Sequence, residues 1–337
     1  MWASDVEDIY PSWQAWKLEV EPIPHGGYHP FNPSILLTPQ GDMLCSVRHA
    51  NYLVREGVYH VKNGIVRTVN TMCHLDYNRA LRGANPVITE WEVIQERDGL
   101  KRFPSSEHGY EDLRLFLHDE EVKAIATTAQ LRTESRQEMV VLEFNEQWHI
   151  TKAAPLRGPW GKYAQKNWVP YSSYPAGELK FLYNIDKWIE VRESDCKEVQ
   201  DTSKQAPKRP MGHTMSMNIT NVVQPRVSYD RWDNKGLRGG GQLCRVGDKY
   251  VGVGHDMDHA RLKASGQKHY RHRFYDSNGN RGPWFTFGLD GIEFCSGMEV
   301  VQDTVFLSFG VGDSSAWVGT LYLGDVMPDL EKTNVAA

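Results

Sequence analysis

Short runs of alternating hydrophobic and polar residues recur along this chain, and five of them share one layout. Each run begins at a polar or glycine marker, continues as a short apolar strand, turns tightly and returns as an alternating strand. In the clearest copy, Glu111 and Asp112 precede the apolar residues 115–117, a turn follows at 118–121, and residues 122–128 form the returning strand. The markers of the five copies are Asn32, Asp112, Lys166, Arg238 and Gly297.

Five similar hairpins with little helix between them predict an all-β protein, a five-bladed β-propeller. The innermost strand of each blade lines a central channel in that fold, so the five markers would meet at one mouth of the channel. The spacing between markers is uneven, and we assign the extra length to loops at residues 194–210 and 256–280. The alternative is a β-sandwich with similar hairpins. A Rossmann nucleotide site is not indicated, because Gly240 lies in no Gly-x-Gly-x-x-Gly motif that opens a helix.

The propeller is predicted to occupy residues 28–325 as a single domain. Residues 1–27 form a leader that packs on the propeller, and residues 326–337 form a tail. Within the leader, a short helix is predicted around Trp13 to Val20, closed by Pro22 and Pro24.

Composition excludes several classes of function. A hydrophobic share of 40% and a charged share of 24% are typical of a soluble globular protein. The net charge of -5 gives no general basic field, so nucleic acid is not an expected partner. No apolar run approaches the ~20 residues of a membrane span, and the acidic N-terminus does not resemble a signal peptide, so a cytoplasmic location is predicted. The 11 Trp and 15 Tyr residues favour β-sheet and can stack on sugar rings.

Cysteine and histidine spacing gives no support for a metal or cofactor. The cysteines are odd in number and form no Cys-x-x-Cys pair, which argues against a zinc site and a disulfide framework. They are Cys45, Cys73, Cys196, Cys244 and Cys295. A His-Asp-x-Asp-His stretch begins at His255, but its position after a strand is a weaker signal than a helical His-Glu-x-x-His motif. We therefore predict neither metal nor cofactor.

The acid pair at Glu111 and Asp112 is the strongest candidate for chemistry. Cleaving a glycosidic bond requires a proton for the leaving oxygen, and a carboxyl kept protonated by burial or by a neighbouring charge can supply it. Glu111 would raise the pKa of Asp112, whereas Arg114 would lower it. The alternative is a solvated charge cluster with a structural ion pair.

The order of the marker motifs resembles that of glycoside hydrolase family 130, the mannoside phosphorylases and their relatives. The similarity runs from about residue 31 to 323. The motifs are Phe31-Asn32-Pro33, Glu111-Asp112-Leu113-Arg114, Lys166-Asn167-Trp168-Val169, Gly239-Gly240-Gly241, Phe294 with Gly297, and Phe309-Gly310-Val311-Gly312-Asp313. The family is a five-bladed propeller, in agreement with the number of hairpin repeats.

The resemblance implies roles for individual residues. Asp112 matches the general acid, Asn32 and Asp313 match residues that hold the sugar, and Lys166 matches a lysine on the phosphate or acceptor side. His255 matches the histidine that closes the fourth hairpin. We extend the predicted substrate-binding set with Arg48, Glu111, Arg114, Asn167 and Gly240, and the phosphate-binding or donor-binding set with Arg136 and Arg238.

Three departures from the family pattern affect the predicted reaction. Leu113 and Gly241-Gln242 stand where the family has prolines, and Asn184 stands where phosphorylases place an arginine for phosphate. The predicted function is an inverting enzyme of the phosphorylase or glycosyltransferase type, acting on a mannose-type sugar. Its partners would be a glycan and either inorganic phosphate or a nucleotide sugar. The alternatives are a non-catalytic sugar-binding propeller and an inverting glycoside hydrolase.

Overall fold

The computed structural model describes residues 4–21, 23, 27–55, 58–61, 64–131, 136–156, 166–172, 177–196, 236–265, 268–289 and 291–331. Its regular structure is mostly β-strand, and five sheets are arranged as a five-bladed β-propeller. The fold class predicted from the hairpin repeats is therefore confirmed.

In each blade the strands given below pair antiparallel, and the first of them lies innermost. Blade one contains the strands His29–Leu37, Met43–Ala50, Val66–Leu75 and Ile88–Val93, and blade two contains Glu111–His118, Glu121–Thr128, Glu138–Phe144 and Ile150–Leu156. Blade three contains Val169–Pro170, Lys180–Asn184 and Ile189–Arg192, and blade four contains Arg238–Gly239, Cys244–Val246, Lys249–Met257, Tyr270–Asp276 and Phe285–Thr286. Blade five contains Glu293–Val301, Thr304–Val311 and Ser315–Tyr322.

The N-terminal residues complete the last two blades. Strand Gln14–Lys17 pairs antiparallel with the outer strand of blade five, and Ser4–Asp5 pairs in parallel with Phe285–Thr286 of blade four. The helix predicted around Trp13 to Val20 is therefore wrong. An open edge of blade five offers unpaired N–H and C=O groups, and pairing with it outweighs the weak local preference for helix. The predicted closing residues Pro22 and Pro24 lie outside the described residues.

Helices are few and short. They span Val6–Ile9, Tyr77–Leu81, His259–Ser265 and Leu323–Glu331, with a 3₁₀ turn at Glu193–Asp195. None of the helices in the described parts of the chain has the length and apolar character needed to cross a membrane.

Two connections differ from simple loops. A small antiparallel ribbon, Tyr52–Arg55 with Val58–Val61, stands between the second and third strands of blade one. Residues 256–280, predicted as a loop, contain helix His259–Ser265 and the whole of strand Tyr270–Asp276. That strand forms because its residues alternate between polar and apolar and pair with the preceding strand. The other predicted loop, 194–210, lies outside the described residues from position 197 onward.

In the described residues, five hydrophobic clusters form layers, one between each pair of neighbouring blades, and a sixth lies at the ribbon of blade one. Alternation along the inner strands produces this arrangement, because successive side chains point to opposite faces. In blade one, Ile35 packs towards blade five and Leu36 towards blade two. In blade two, Leu115 packs towards blade one and Phe116 towards blade three. Each such side chain, fully buried, contributes about 1.5–3 kcal/mol relative to exposure, and the five layers together close the ring.

Candidate active site

Three equivalent positions near the start of the inner strands adopt a left-handed backbone conformation. The φ angles are 46° at Asn32, 50° at Asp112 and 62° at Asn167. The strand register shifts at the first two positions, which marks a β-bulge. Asparagine and aspartate tolerate this conformation better than other non-glycine residues, which explains their presence here. We call this end of the channel the mouth.

Asp112 is mostly buried at the mouth, where its carboxylate contacts one arginine and one asparagine side chain. Arg48 Nη1 lies 2.8 Å from Asp112 Oδ1, and Asn32 Nδ2 donates to the same oxygen at 3.0 Å. Burial alone would raise the pKa of Asp112, but Arg48, Lys166, the hydrogen bond from Asn32 and Arg114 outweigh it and hold the pKa well below its usual range. The sequence left the balance between Glu111 and Arg114 open, and in the structure the cations prevail, so Asp112 is a carboxylate in the free protein.

Glu111 connects the two cations beside Asp112. Its Oε1 lies 3.5 Å from Arg48 Nη2, and its Oε2 lies 3.4 Å from Lys166 Nζ. Burial would lower the pKa of Lys166, but Glu111 and Asp112 raise it, so the lysine stays charged. Arg48 also stacks over the ring of Phe31, 4.9 Å from its centroid. The mouth thus holds a continuous chain of alternating charges, Lys166, Glu111, Arg48 and Asp112.

Arg114 and Asn167, both predicted to bind substrate, contact each other beneath the mouth. Arg114 is fully buried, and its Nη2 donates to Asn167 Oδ1 at 2.7 Å while Nη1 donates to the carbonyl of Trp168 at 3.1 Å. Its guanidinium also lies 5.9 Å from the ring centroid of Phe294. These contacts join blades two, three and five, so Arg114 positions the mouth from below.

Asp313 lies at the same mouth in the turn between two strands of blade five, with a φ of 50°. The hydroxyls of Tyr52 and Tyr59 each donate to its Oδ2 at 3.4 Å. Burial raises the pKa of Asp313, Arg48 opposes this rise and Asp112 adds to it. Asp112 and Asp313 therefore converge on Arg48 with opposite pKa shifts.

His255 and Arg238 are opposite each other on paired strands of blade four. His255 is buried, and its ring packs edge-on against Tyr270 and Phe294. Burial, followed by the charges of His272 and Arg238, lowers the pKa of His255 well below its usual value. The imidazole is neutral at physiological pH, so it can contribute a hydrogen bond towards a phosphate but no charge.

Gly240, Arg136 and Asn184 have surroundings that differ from those of the residues above. A side chain at Gly240 would collide with the carbonyl oxygens of Val253 and Cys295, so Gly240 permits close packing of the backbone. Arg136 precedes Gln137, whose Nε2 donates to Glu107 Oε2 at 3.0 Å. Asn184, where an arginine was expected for phosphate, accepts a hydrogen bond from the Lys187 N–H at 2.8 Å and stabilises a turn.

Sequence reasoning missed Glu107, Tyr52 and Tyr59. Burial, followed by the negative charge of Glu111, raises the pKa of Glu107, which places a further carboxyl group beside the charge chain. The two tyrosines belong to the ribbon of blade one, outside the repeated hairpins, so no repeat signal marked them. Tyr52 comes soon after the strand that carries the predicted Arg48, and this closeness in the sequence was the one available clue.

Metal ligation has no support at the mouth. Across the described segments, no group of three or more His, Cys, Asp and Glu side chains could hold a metal ion. In the His-Asp-x-Asp-His stretch, the ring of His255 packs against Tyr270 and Phe294, and Asp256 pairs with Arg271 at 2.9 Å.

The fold defined here is a five-bladed β-propeller, and several solved structures share that fold. The β-1,2-mannobiose phosphorylase from Listeria innocua superposes with a TM-score of 0.52 at 12% identity, covering 94% of this chain and 99% of that one. A glycosyl hydrolase from Bacteroides ovatus gives 0.52 at 13% identity, covering 94% and 93%. MPT-1, a GDP-Man-dependent mannosyltransferase from Leishmania mexicana, gives 0.50 at 12% identity, covering 92% and 89%.

At the level of the fold, these similarities confirm the resemblance to the mannoside phosphorylases and their relatives. No protein-family model matches the chain, and no curated protein matches it by sequence.

Proposed function

We propose that this protein is a carbohydrate-active enzyme that transfers a mannose-type sugar with inversion, from a donor activated by a phosphate group to a hydroxyl of an acceptor glycan. The observation that carries the proposal is the contact of the Asp112 carboxylate with Arg48 and Asn32 at the mouth. Arg48 at 2.8 Å and the nearby charge of Lys166 keep its pKa low, so the carboxylate is ready to accept a proton and not to donate one.

The reaction is a single displacement. The acceptor hydroxyl oxygen attacks the anomeric carbon of the donor, its proton passes to Asp112, and the bond between that carbon and the phosphate oxygen breaks. The phosphate group leaves with the bonding electrons. In the opposite direction the same carboxyl would donate the proton to the leaving oxygen and would have to be protonated first.

The surrounding residues have separate roles in this scheme. Asn32 and Asp313 hold hydroxyls of the transferred sugar, because both lie beside Asp112 and carry polar groups suited to hydroxyls. Lys166 and Arg238 supply positive charge on the donor side, and His255 supplies a neutral hydrogen-bonding group there.

The donor is defined by its shared chemistry, a sugar bonded to phosphate. A sugar 1-phosphate and a nucleotide sugar both provide it. The fold neighbours support this class, since one is a phosphorylase and one a GDP-Man-dependent mannosyltransferase. Asn184 in place of an arginine and the neutral His255 leave less charge for free inorganic phosphate, which favours the synthetic direction.

Inverting hydrolysis is the second candidate, and Asp313 is the observation that favours it. Inverting hydrolases use one protonated carboxyl as acid and one carboxylate as base. The raised pKa of Asp313 and the lowered pKa of Asp112 fit those two roles at one mouth.

A donor screen tests the proposal. The protein is incubated with mannose 1-phosphate or GDP-mannose, with and without mannose oligosaccharides, and release of phosphate or nucleoside diphosphate is measured. The anomeric configuration of the product is read by NMR. Acceptor-dependent release with inversion supports transfer, and the leaving group identifies the donor. Free mannose from an oligosaccharide without any donor identifies a hydrolase. Sugar binding without turnover of any donor or oligosaccharide overturns the enzyme proposal.

A further inference from the structure

A second cavity, of about 200 Å³, lies between blades four and five. Its walls come from the connection that carries helix His259–Ser265 and from the segment that leads into the inner strand of blade five. Both connections emerge on the same side of the propeller as the turn that carries Asp313. Lys268 of the first connection lies over the ring of Tyr59, 5.8 Å from its centroid, and Tyr59 in turn contacts Asp313. The cavity therefore opens on the face of the mouth.

The floor of the cavity is rigid. Glu293 is buried with 3% of its surface exposed, and its two carboxyl oxygens accept the N–H groups of Phe287 at 2.7 Å and Leu289 at 2.8 Å. Beside it, the Thr286 hydroxyl donates to Asp5 Oδ1 at 2.7 Å. These bonds fix both the lining loop and one carboxylate of the rim before any ligand arrives.

The lining combines donors and acceptors around a small space. Arg261 and His269 provide donors, whereas Asp5 and Glu293 provide carboxyl oxygens. A sugar ring matches both groups, because each hydroxyl can donate and accept. A phosphate would be repelled by the two carboxyl groups. An apolar ring would leave the polar groups of the lining without hydrogen-bond partners. The volume lies below the roughly 300–1,000 Å³ of pockets for drug-sized ligands, so one sugar ring fits better than a nucleotide.

Tyr270 separates this cavity from the mouth. It lines the cavity, and its ring packs against His255 at 5.1 Å and Phe294 at 6.3 Å between centroids. Phe294 in turn contacts Arg114, which positions the mouth from below. A glycan that reacts beside Asp112 can therefore continue across Tyr270, whose aromatic face is suited to stacking on a sugar.

We propose that the cavity between Asp5, Arg261, His269, Thr286 and Glu293 is a remote subsite that binds a non-reacting sugar ring of the acceptor glycan. This inference rests on the proposed transfer function. It predicts that the enzyme prefers acceptors long enough to reach from Asp112 across Tyr270.

The experiment compares acceptors of increasing length. kcat/KM is measured with mannose, mannobiose, mannotriose and mannotetraose, using the donor that the screen identifies. In the wild type, the ratio of kcat/KM for the longest to the shortest acceptor should be large. In Arg261→Ala this ratio should fall by roughly tenfold, the value of one charge-assisted hydrogen bond. Arg245→Ala is the matched control, because this exposed arginine lies in strand Cys244–Val246, beside the hairpin turn at the opposite end of blade four.

The outcomes separate the two proposals. Two results overturn the subsite and leave the transfer function intact. One is a ratio of kcat/KM for the longest to the shortest acceptor near one in the wild type. The other is a ratio in Arg261→Ala equal to that of the wild type. If no acceptor is used by any protein, the transfer function fails. In that case, binding of mannotetraose is measured by calorimetry. Binding that is weakened in Arg261→Ala but not in Arg245→Ala still supports a sugar site in this cavity. Equal binding by the two variants overturns the site.

Discussion

Arg48 and Asp112, from blade one and blade two, form a buried ion pair with 2.8 Å between Nη1 and Oδ1. Arg48 lies near the end of strand Met43–Ala50, and Asp112 lies at the bulge of strand Glu111–His118, 64 positions later in the sequence. Because Asp112 stays ionised through this contact, its proposed role as a base depends on a residue from another blade.

Asp112→Asn should lower kcat by roughly 10²–10⁴ while leaving sugar binding within a few fold. The amide keeps the shape of the side chain and tolerates the left-handed backbone, but it cannot accept the proton. Turnover is measured with the identified donor, sugar binding by calorimetry and folding by circular dichroism. Asp119→Asn is the control, since Asp119 has a similar φ of 52° in an exposed turn at the other end of the same hairpin. Equal loss of rate in both variants would contradict the assignment.

Lys166→Gln should move the acidic limb of the kcat/KM profile to higher pH. Lys166 lowers the pKa of Asp112, so its removal raises that pKa. A base works only when ionised, and its activity should then be lost at a higher pH as the solution is acidified. The control is Lys152→Gln, which removes an exposed lysine 2.9 Å from Glu143 in blade two. An unchanged acidic limb, or a shift to lower pH, would show that Asp112 is not the titrating base.

The fold was largely predictable because its signal is local. Each blade repeats a hairpin with strand alternation and a tight turn, and the markers Asn32 and Asp112 lie near the starts of inner strands as predicted. The strand Gln14–Lys17 was not predictable in the same way. Its partner, Ser315–Tyr322, lies at the other end of the chain, and nothing in residues 13–20 alone indicates that pairing.

The residues of the candidate site could be predicted from the sequence, but the charge state of Asp112 could not. The sequence indicated Asp112, Glu111, Arg48 and Lys166, and the structure brings them together. The direction of the pKa shift of Asp112 depends on Arg48 and Lys166, which come from two other parts of the chain, so the neighbouring residues Glu111 and Arg114 left the direction open. Tyr52 and Tyr59 were missed because side chains outside a repeat carry no periodic signal.

Glu293→Gln should change how stability depends on pH. Burial raises the pKa of Glu293 to about 7, with the N–H groups of Leu289 and Phe287 opposing the rise. A carboxyl whose pKa is raised on folding stabilises the protein below its unfolded pKa, and this contribution disappears as pH rises through the folded pKa. The stability advantage of the wild type over the variant should therefore shrink between pH 5 and pH 8, by about 3 kcal/mol at most.

Urea unfolding of both proteins at several pH values measures this change. Glu121→Gln serves as the control, because Glu121 is an exposed carboxylate paired with Lys123 at 3.0 Å. A constant difference between wild type and Glu293→Gln across this pH range would show that Glu293 does not titrate there.

The N-terminal strand also depends on an aromatic contact. The ring of Trp13 stacks on Phe287, with 5.6 Å between centroids, and contacts Phe309 at 6.1 Å. It lies directly over Gly319, whose position has no room for a Cβ atom beside the indole ring. Gly319 pairs with Ala15 across the outer edge of blade five.

Gly319→Ala should lower the free energy of unfolding by about 1–3 kcal/mol, because the new methyl group displaces the Trp13 ring from its stack. In a Trp13→Ala background the same substitution should cost much less, because the clashing ring is gone. Urea unfolding of the wild type, both single variants and the double variant gives the coupling between the two positions. A strong coupling shows that the indole ring on Gly319 holds the N-terminal strand to blade five. Additive effects would mean that the strand is held by its backbone pairing without help from this contact.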